Sequence, residues 1–192
     1  MTGRKLVNIG LTVLVLVAIV GLYRLTPSQK DFQQPVAVKG VVGKAVETPR
    51  FELTVEGVRI SKKLRIPRTT PDRDTLTDFV VIDALVNATR EPIFLQKVEI
   101  RTDDGTTYLG ANRSGLRAAD LTGTQLAPGI PVRGSFVVEL PADKLPGAIL
   151  LVTEKMIFTE LEPQATIPLG VKADQLDSLR QDVAILTRAS TS

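Results

Sequence analysis

The sequence predicts an all-β domain, a two-sheet sandwich of seven or eight strands, with one transmembrane helix before it and a short amphipathic helix after it. Three observations lead there. From Gly40 onward, short β-branched runs alternate with Gly, Pro and Asp turns. Ahead of them, Leu6 to Tyr23 runs 18 residues without a charge. At the far end, Leu176, Leu179, Val183 and Leu186 are spaced three, four and three apart, one seam of a helix.

The apolar run comes first. As a helix it measures about 27 Å, close to the hydrocarbon thickness of a bilayer. Arg4 and Lys5 precede it, which favours a cytoplasmic N-terminus of residues 1–5 and an exported remainder. Its exit carries bulky Leu22, Tyr23 and Leu25 where a cleavage site needs small residues, so an uncleaved signal-anchor over residues 6–25 is favoured over a cleaved leader. A lipoprotein attachment is excluded by the lack of cysteine. The expected location is the cell membrane, with the C-terminal domain extracytoplasmic. Residues 26–41, polar and holding Pro27 and Pro35, read as an extended linker.

Composition narrows the chemistry. There are 24 Lys and Arg against 21 Asp and Glu, and Arg4, Lys5 and Arg24 account for the excess. The part from Leu25 onward is therefore neutral, and nucleic acid is not an expected partner. With no histidine and no cysteine, the usual general base, thiol chemistry and thiolate metal sites are all missing. The expectation is a non-enzyme without a cofactor or a metal.

Within residues 42–171 the strands follow in order. Phe51 to Val55 alternates apolar with polar, and the phase slips by one at Glu56-Gly57, the mark of a β-bulge. Ser61 to Thr77 reads as a long charged loop. Asp78 to Asn87 has one wholly apolar face, Val80, Ile82, Ala84 and Val86, with Asp83 interrupting the other, as in a central strand. Ile93 to Thr102 leads through Asp103-Asp104-Gly105, a hairpin turn, into Thr106 to Leu109. Asn112 to Gly123 is a second irregular stretch. Val132 to Leu140 ends at Pro141; Ala148 to Thr153 and Met156 to Leu161 give two more strands, and Thr166 to Val171 an edge segment. Residues 172–192 form the helix, from a cap at Asp174 to Arg188, and a polar tail.

The stretches Phe51-Glu52-Leu53-Thr54-Val55, Phe79 to Asn87, Leu126-Ala127-Pro128-Gly129 and Gly134 to Pro141 resemble the immunoglobulin-like domain of unknown function found on bacterial lipoproteins and membrane-anchored envelope proteins. The resemblance covers roughly Val42 to Gly170. It implies an Ig-like sandwich facing away from the cytoplasm and no catalytic residues. The chain departs from that family in lacking the lipobox cysteine and in its C-terminal segment.

Candidate sites are few. Asp72, Asp74 and Asp78 lack the glycine and the twelfth-position glutamate of a calcium loop, so a salt-bridged surface is favoured. Asp103 and Asp104 are accounted for by turn chemistry. Lys62, Lys63, Arg65 and Arg68 are a solvated cationic segment with a candidate anion contact. The seam Leu176, Leu179, Val183 and Leu186 either folds back as core or binds a partner. The resulting expectation is an envelope accessory or scaffold subunit, touching the lipid bilayer and a membrane protein. The alternative is an extracytoplasmic module binding lipid, glycan or peptide.

Overall fold

The computed structural model describes residues 13–21, 35–66, 71–110, 120–154, 161–186 and 190–191. The chain divides into two units, Met1–Gln34 and Pro35–Ser192. In the first, residues 13–21 are helical and exposed. Among the described residues no helix is long and apolar enough to cross a membrane. This corrects the expected single-pass topology, and with it the cell-membrane location, the bilayer and membrane-protein partners, and both the scaffold and extracytoplasmic-module roles built on it. The rest of the expected span, residues 6–12 and 22–25, lies outside the described residues.

The second unit is an all-β sandwich of two sheets. Eleven strands are described, more than the seven or eight expected, because three of them, β2 (Val46–Glu47), β10 (Ala184–Ile185) and β11 (Ser190–Thr191), are two-residue pairings. One sheet runs β1 (Val36–Lys39), β9 (Pro163–Pro168), β8 (Ile149–Thr153), β5 (Lys97–Arg101), β6 (Thr107–Leu109). The other runs β10, β3 (Phe51–Arg65), β4 (Arg73–Ala88), β7 (Val132–Leu140), β11, with β2 also on β3. The four stretches that carry the family resemblance fall on β3, β4, the turn before β7, and β7.

Alternation decides which residues meet between the sheets. Val80, Ile82, Ala84 and Val86 of β4 face inward as expected, joined by Phe51, Leu53, Val55 and Ile60 of β3 and by Val132, Phe136, Val138 and Leu140 of β7. From the second sheet, Val98, Ile100, Leu150, Val152, Ala165 and Ile167 complete that core. The expected bulge is present: the β3–β4 register shifts between Val55 and Gly57, leaving Glu56 as the extra residue. Without this shift Ile60 would turn to the outer face.

Four expectations about segments change. Val36–Lys39, in the stretch read as linker, pairs in parallel with β9, so Thr166 lies in an interior strand and not at an edge. Much of Ser61 to Thr77 is strand: β3 continues to Arg65 and β4 begins at Arg73, with Lys63 opposite Asp74. Between Ser61/Phe79 and Lys63/Asp74 the register shifts again, and Leu76 stands in that irregularity 99% exposed. Finally, the C-terminal amphipathic helix is reduced to a 3-10 turn, Ala173–Gln175, and one α-helical turn, Leu176–Leu179. The chain then runs along β3, Gln181 N–H donating to Ile60 O (2.8 Å) and Leu186 N–H to Arg65 O (2.9 Å). Those carbonyls lie on the free side of β3, and pairing them outweighs the weak helical preference of a short segment. The expected strand Met156 to Leu161 has only Leu161 among the described residues.

The hairpin at Asp103-Asp104-Gly105 joins β5 to β6 as its sequence requires, with Gly105 at φ +83°. The Asp104 carboxylate accepts from Thr102 Oγ1 (2.6 Å), Thr106 N–H (3.0 Å) and Lys144 Nζ (2.8 Å). The Lys144 ammonium, then the Thr102 hydroxyl and Thr106 amide, hold this carboxyl well below the ordinary carboxylate range. A group lowered in the folded state contributes stability that is fully present above its unfolded value of about 3.9, declines below it and is lost as pH falls through the lowered folded value. Asp104→Asn is therefore expected to cost stability at neutral pH, modestly because the group is exposed, and the cost should shrink below about pH 4. Urea midpoints of the two proteins measured from about pH 7 to about pH 3 check this; an unchanging gap would refute it.

Candidate functional site

The outward face of the six-stranded sheet is where polar chemistry collects. Register places its rows: Phe79 beside Ser61 and Glu139, Val81 beside Arg59 and Val137, Asp83 beside Gly57 and Ser135, Leu85 beside Thr54 and Arg133, Asn87 beside Glu52. The first rows are apolar at their centre and are closed over. Phe79, Val81 and Val137 form a second buried cluster with Leu64, Ile66, Ala184 and Leu186. Of the predicted seam, Leu186 is buried there, Val183 is half-buried, and Leu176 and Leu179 are half-buried against the main core. The segment thus folds back on its own domain.

Two fixtures hold it. Asp78, buried on β4, accepts from Ala142 N–H (3.1 Å) and from Arg180 Nη1 (3.0 Å). Ser61 Oγ donates within reach of both Lys63 O (2.9 Å) and Asp182 O (3.2 Å). Arg59 marks where the covered half ends. It donates from Nε and Nη2 to Asp83 (2.8 and 2.7 Å) and from Nη1 to Ile185 O (3.0 Å), while Ser135 Oγ donates to Asp83 Oδ1 (2.7 Å).

Beyond that line, among the described residues, the face is open and polar, with β11 pairing beside Arg133 and Val132 at its β7 edge. A depression of about 230 Å³ is lined by Glu56, Gly57, Asp83, Arg133 and Gly134. The bulge creates it: Gly57 has no side chain to fill the space beside Asp83, and Glu56 is pushed out to meet Arg133 from across the sheet. Arg133 donates to Glu56 through Nε (2.9 and 3.1 Å) and Nη2 (2.8 Å). Hydrogen bonding to Glu56 raises the Arg133 guanidinium above its ordinary value, so it stays charged. A second depression of about 90 Å³ is lined by Glu52, Thr54, Leu85, Asn87 and Pro131. Leu85 of the smaller depression is the cross-strand partner of Arg133 of the larger. Asn87, on the lining of the smaller one, has its Oδ1 buried away from the surface and accepting from no described residue, and Glu52 has no ion-pair partner among them.

The residues singled out from sequence lie elsewhere. Lys62 and Lys63 are exposed near the end of β3, and Arg65 is engaged by Asp72 through Nε and Nη2 (2.9 and 2.7 Å). Arg68 lies outside the described residues. The three carboxylates Asp72, Asp74 and Asp78 are dispersed: one on Arg65, one opposite Lys63, one buried against Arg180. Among the described residues no group of acidic side chains is arranged to hold a metal ion. Sequence reasoning missed Glu56, Arg59, Arg133 and Asn87 as neighbours. Only the interruption at Asp83 signalled that this face departs from plain core.

Neither a family model nor a curated protein matches the chain. Among solved structures it is similar to the YjhA protein from Bacillus subtilis, at TM-score 0.48 and 12% identity over 66% of this chain and 97% of that chain. It is similar as well to a β-sandwich protein from Clostridium difficile 630, at 0.44 and 12% over 73% and 99%. A secreted protein from Mycobacterium tuberculosis, MPT63, aligns at 0.44 and 16% over 69% and 98%. Each likeness is one of fold alone, and the β-sandwich assignment of this chain rests on its own two sheets.

Proposed function

We propose that the chain is a binding domain, without bond-making chemistry of its own, that holds a small polar ligand in the open half of the six-stranded sheet's outer face. One observation carries this. The chain covers the apolar half of that face with its own C-terminal segment and, among the described residues, leaves the charged half as two adjoining concavities. Their volumes are below those of sites for drug-sized molecules, which suits a solute of few atoms. A non-catalytic role is supported by the arrangement of Glu56 and Asp83: each already accepts two guanidinium N–H groups, so both carboxylates are engaged within the protein. We also propose that the sandwich is of the immunoglobulin-like kind, supported by the resemblance falling on three adjacent strands, β3, β4 and β7.

The test is a heteronuclear NMR titration of the full chain with a panel of polar solutes: amino acids, polyols, sugars and small organic acids. At least one should shift the amides of Gly57, Asp83 and Gly134 saturably. No shift there with any solute at millimolar concentration would contradict the reading.

A further inference from the structure

Leu76 is the most exposed large apolar side chain among the described residues, at 99%. It stands in the second register shift of the β3–β4 ladder, where Thr75 to Asp78 of β4 face the single residue Lys62 of β3. The strand is braced around it. Thr77 N–H donates to Thr75 Oγ1 (3.3 Å) and the two threonine hydroxyls lie 3.2 Å apart, so both turn to one side of the strand and Leu76 to the other. Two residues on, Asp78 is held by Ala142 N–H and by Arg180. The leucine is thus a knob fixed in advance, and a contact made through it carries little ordering cost.

The smaller depression on the outer face of the six-stranded sheet has the converse character. Leu85 and Pro131 supply apolar lining, with Thr54 beside them, and its volume of about 90 Å³ suits a single side chain. Glu52 stands at its border, half-buried and without an ion-pair partner among the described residues. Lys62, across from the knob, is exposed and equally without one. Knob and hole therefore carry opposite charges beside them. They also lie on one strand: Leu76 and Leu85 are nine residues apart on β4. At the rise of a strand that is about 30 Å, so a chain cannot fill its own depression.

We propose that the occupant of the smaller depression is Leu76 of a second copy of this chain, with Lys62 of that copy against Glu52. The contact joins different patches of the two copies, a heterologous interface. One leucine and one ion pair at the border make a small interface, so association is weak, with Kd about 0.1–1 mM. The larger depression, lined by Asp83 and Arg133, takes no part in it. Self-association is therefore independent of the ligand-binding role proposed above and goes beyond it.

The experiment is sedimentation equilibrium of the full chain from about 0.02 to about 1 mM, with amide shifts read over the same range. The mean mass should rise with concentration, and the amides of Thr75, Leu76 and Thr77 should shift together with those of Thr54 and Leu85. Leu76→Asp removes the knob and Thr54→Arg fills the hole; each should weaken association at least about tenfold. Leu109→Asp, at another exposed leucine but on the other sheet, should leave it unchanged. An equimolar mixture of the Leu76→Asp and Thr54→Arg proteins should associate again as one-to-one pairs, because one keeps the hole and the other the knob. A chain that stays monomeric throughout, association that survives Leu76→Asp, or a mixture that stays monomeric would overturn the proposal. The concentration series uses the unaltered protein, so a variant that fails to fold does not blunt it. Solute-induced shifts at Gly57, Asp83 and Gly134 are read separately, so the ligand-binding reading stands or falls apart from this one.

Discussion

Phe136→Ala is expected to lower the stability of the sandwich by about 3–5 kcal/mol, the range for emptying the site of a fully buried aromatic ring. Phe136 is 0% exposed in the middle of β7, opposite Ile82 on β4, and projects into the core between the two sheets. The β4–β7 ladder fixes its backbone on both sides of the ring, so the strand has little freedom to move inward and fill the void. Urea unfolding should show a lower midpoint with an unchanged slope, and the melting temperature should fall by on the order of 10 °C. A loss below about 1 kcal/mol would mean that Phe136 does not sit between the sheets.

Leu186→Ala should cost about 2–4 kcal/mol, an unusual penalty for a residue so near the end of a chain. Its side chain is 1% exposed, buried with Leu64, Ile66, Phe79, Val81, Val137 and Ala184 on the outer face of the six-stranded sheet. Truncation removes that apolar contact while keeping the backbone N–H that donates to Arg65 O, so the cost reads the side chain's packing alone. The neighbouring Ile185, half exposed, serves as the control: Ile185→Ala should cost much less. Equal small effects at both positions would show that the segment does not dock.

The contrast between these residues explains what the sequence makes legible. Phe136 lies in a nine-residue strand whose even positions are apolar, and that alternation is visible without any partner. The same holds for the inward face of β4 and for the bulge, where the phase of the pattern slips at Glu56-Gly57. The hairpin turn at Asp103-Asp104-Gly105 is equally local. Leu186 is different. Its spacing from Leu176, Leu179 and Val183 fits a helix, but the free carbonyls of Ile60 and Arg65 are satisfied only when the chain lies along β3. Those acceptors are more than a hundred residues earlier, and no short window contains them.

Charge concealed other elements in the same way. Lys62, Lys63 and Arg65 read as a loop because charged residues dominate, yet a strand at the end of a long hairpin tolerates charge on both faces when it pairs across, as Lys63 does with Asp74. Val36–Lys39 was hidden by the polar, proline-bearing stretch around it. The candidate site was least legible of all. Arg59 meets Asp83 across 24 residues and Arg133 meets Glu56 across 77, both through register alone. Asp83 showed only that one outward position on β4 is not apolar; which side chains surround it depends on how three strands are aligned.

The central claim is that the C-terminal segment belongs to the domain and closes one half of a sheet face, leaving the other half open for a ligand. Amide hydrogen exchange at Gln181 and Leu186 tests it most directly, because both N–H groups donate to β3 carbonyls. The expected result is slow exchange at both positions, well separated from the rates of an unstructured chain. Exchange at the free-peptide rate at Gln181 and Leu186, with β4 and β7 still protected, would contradict the account.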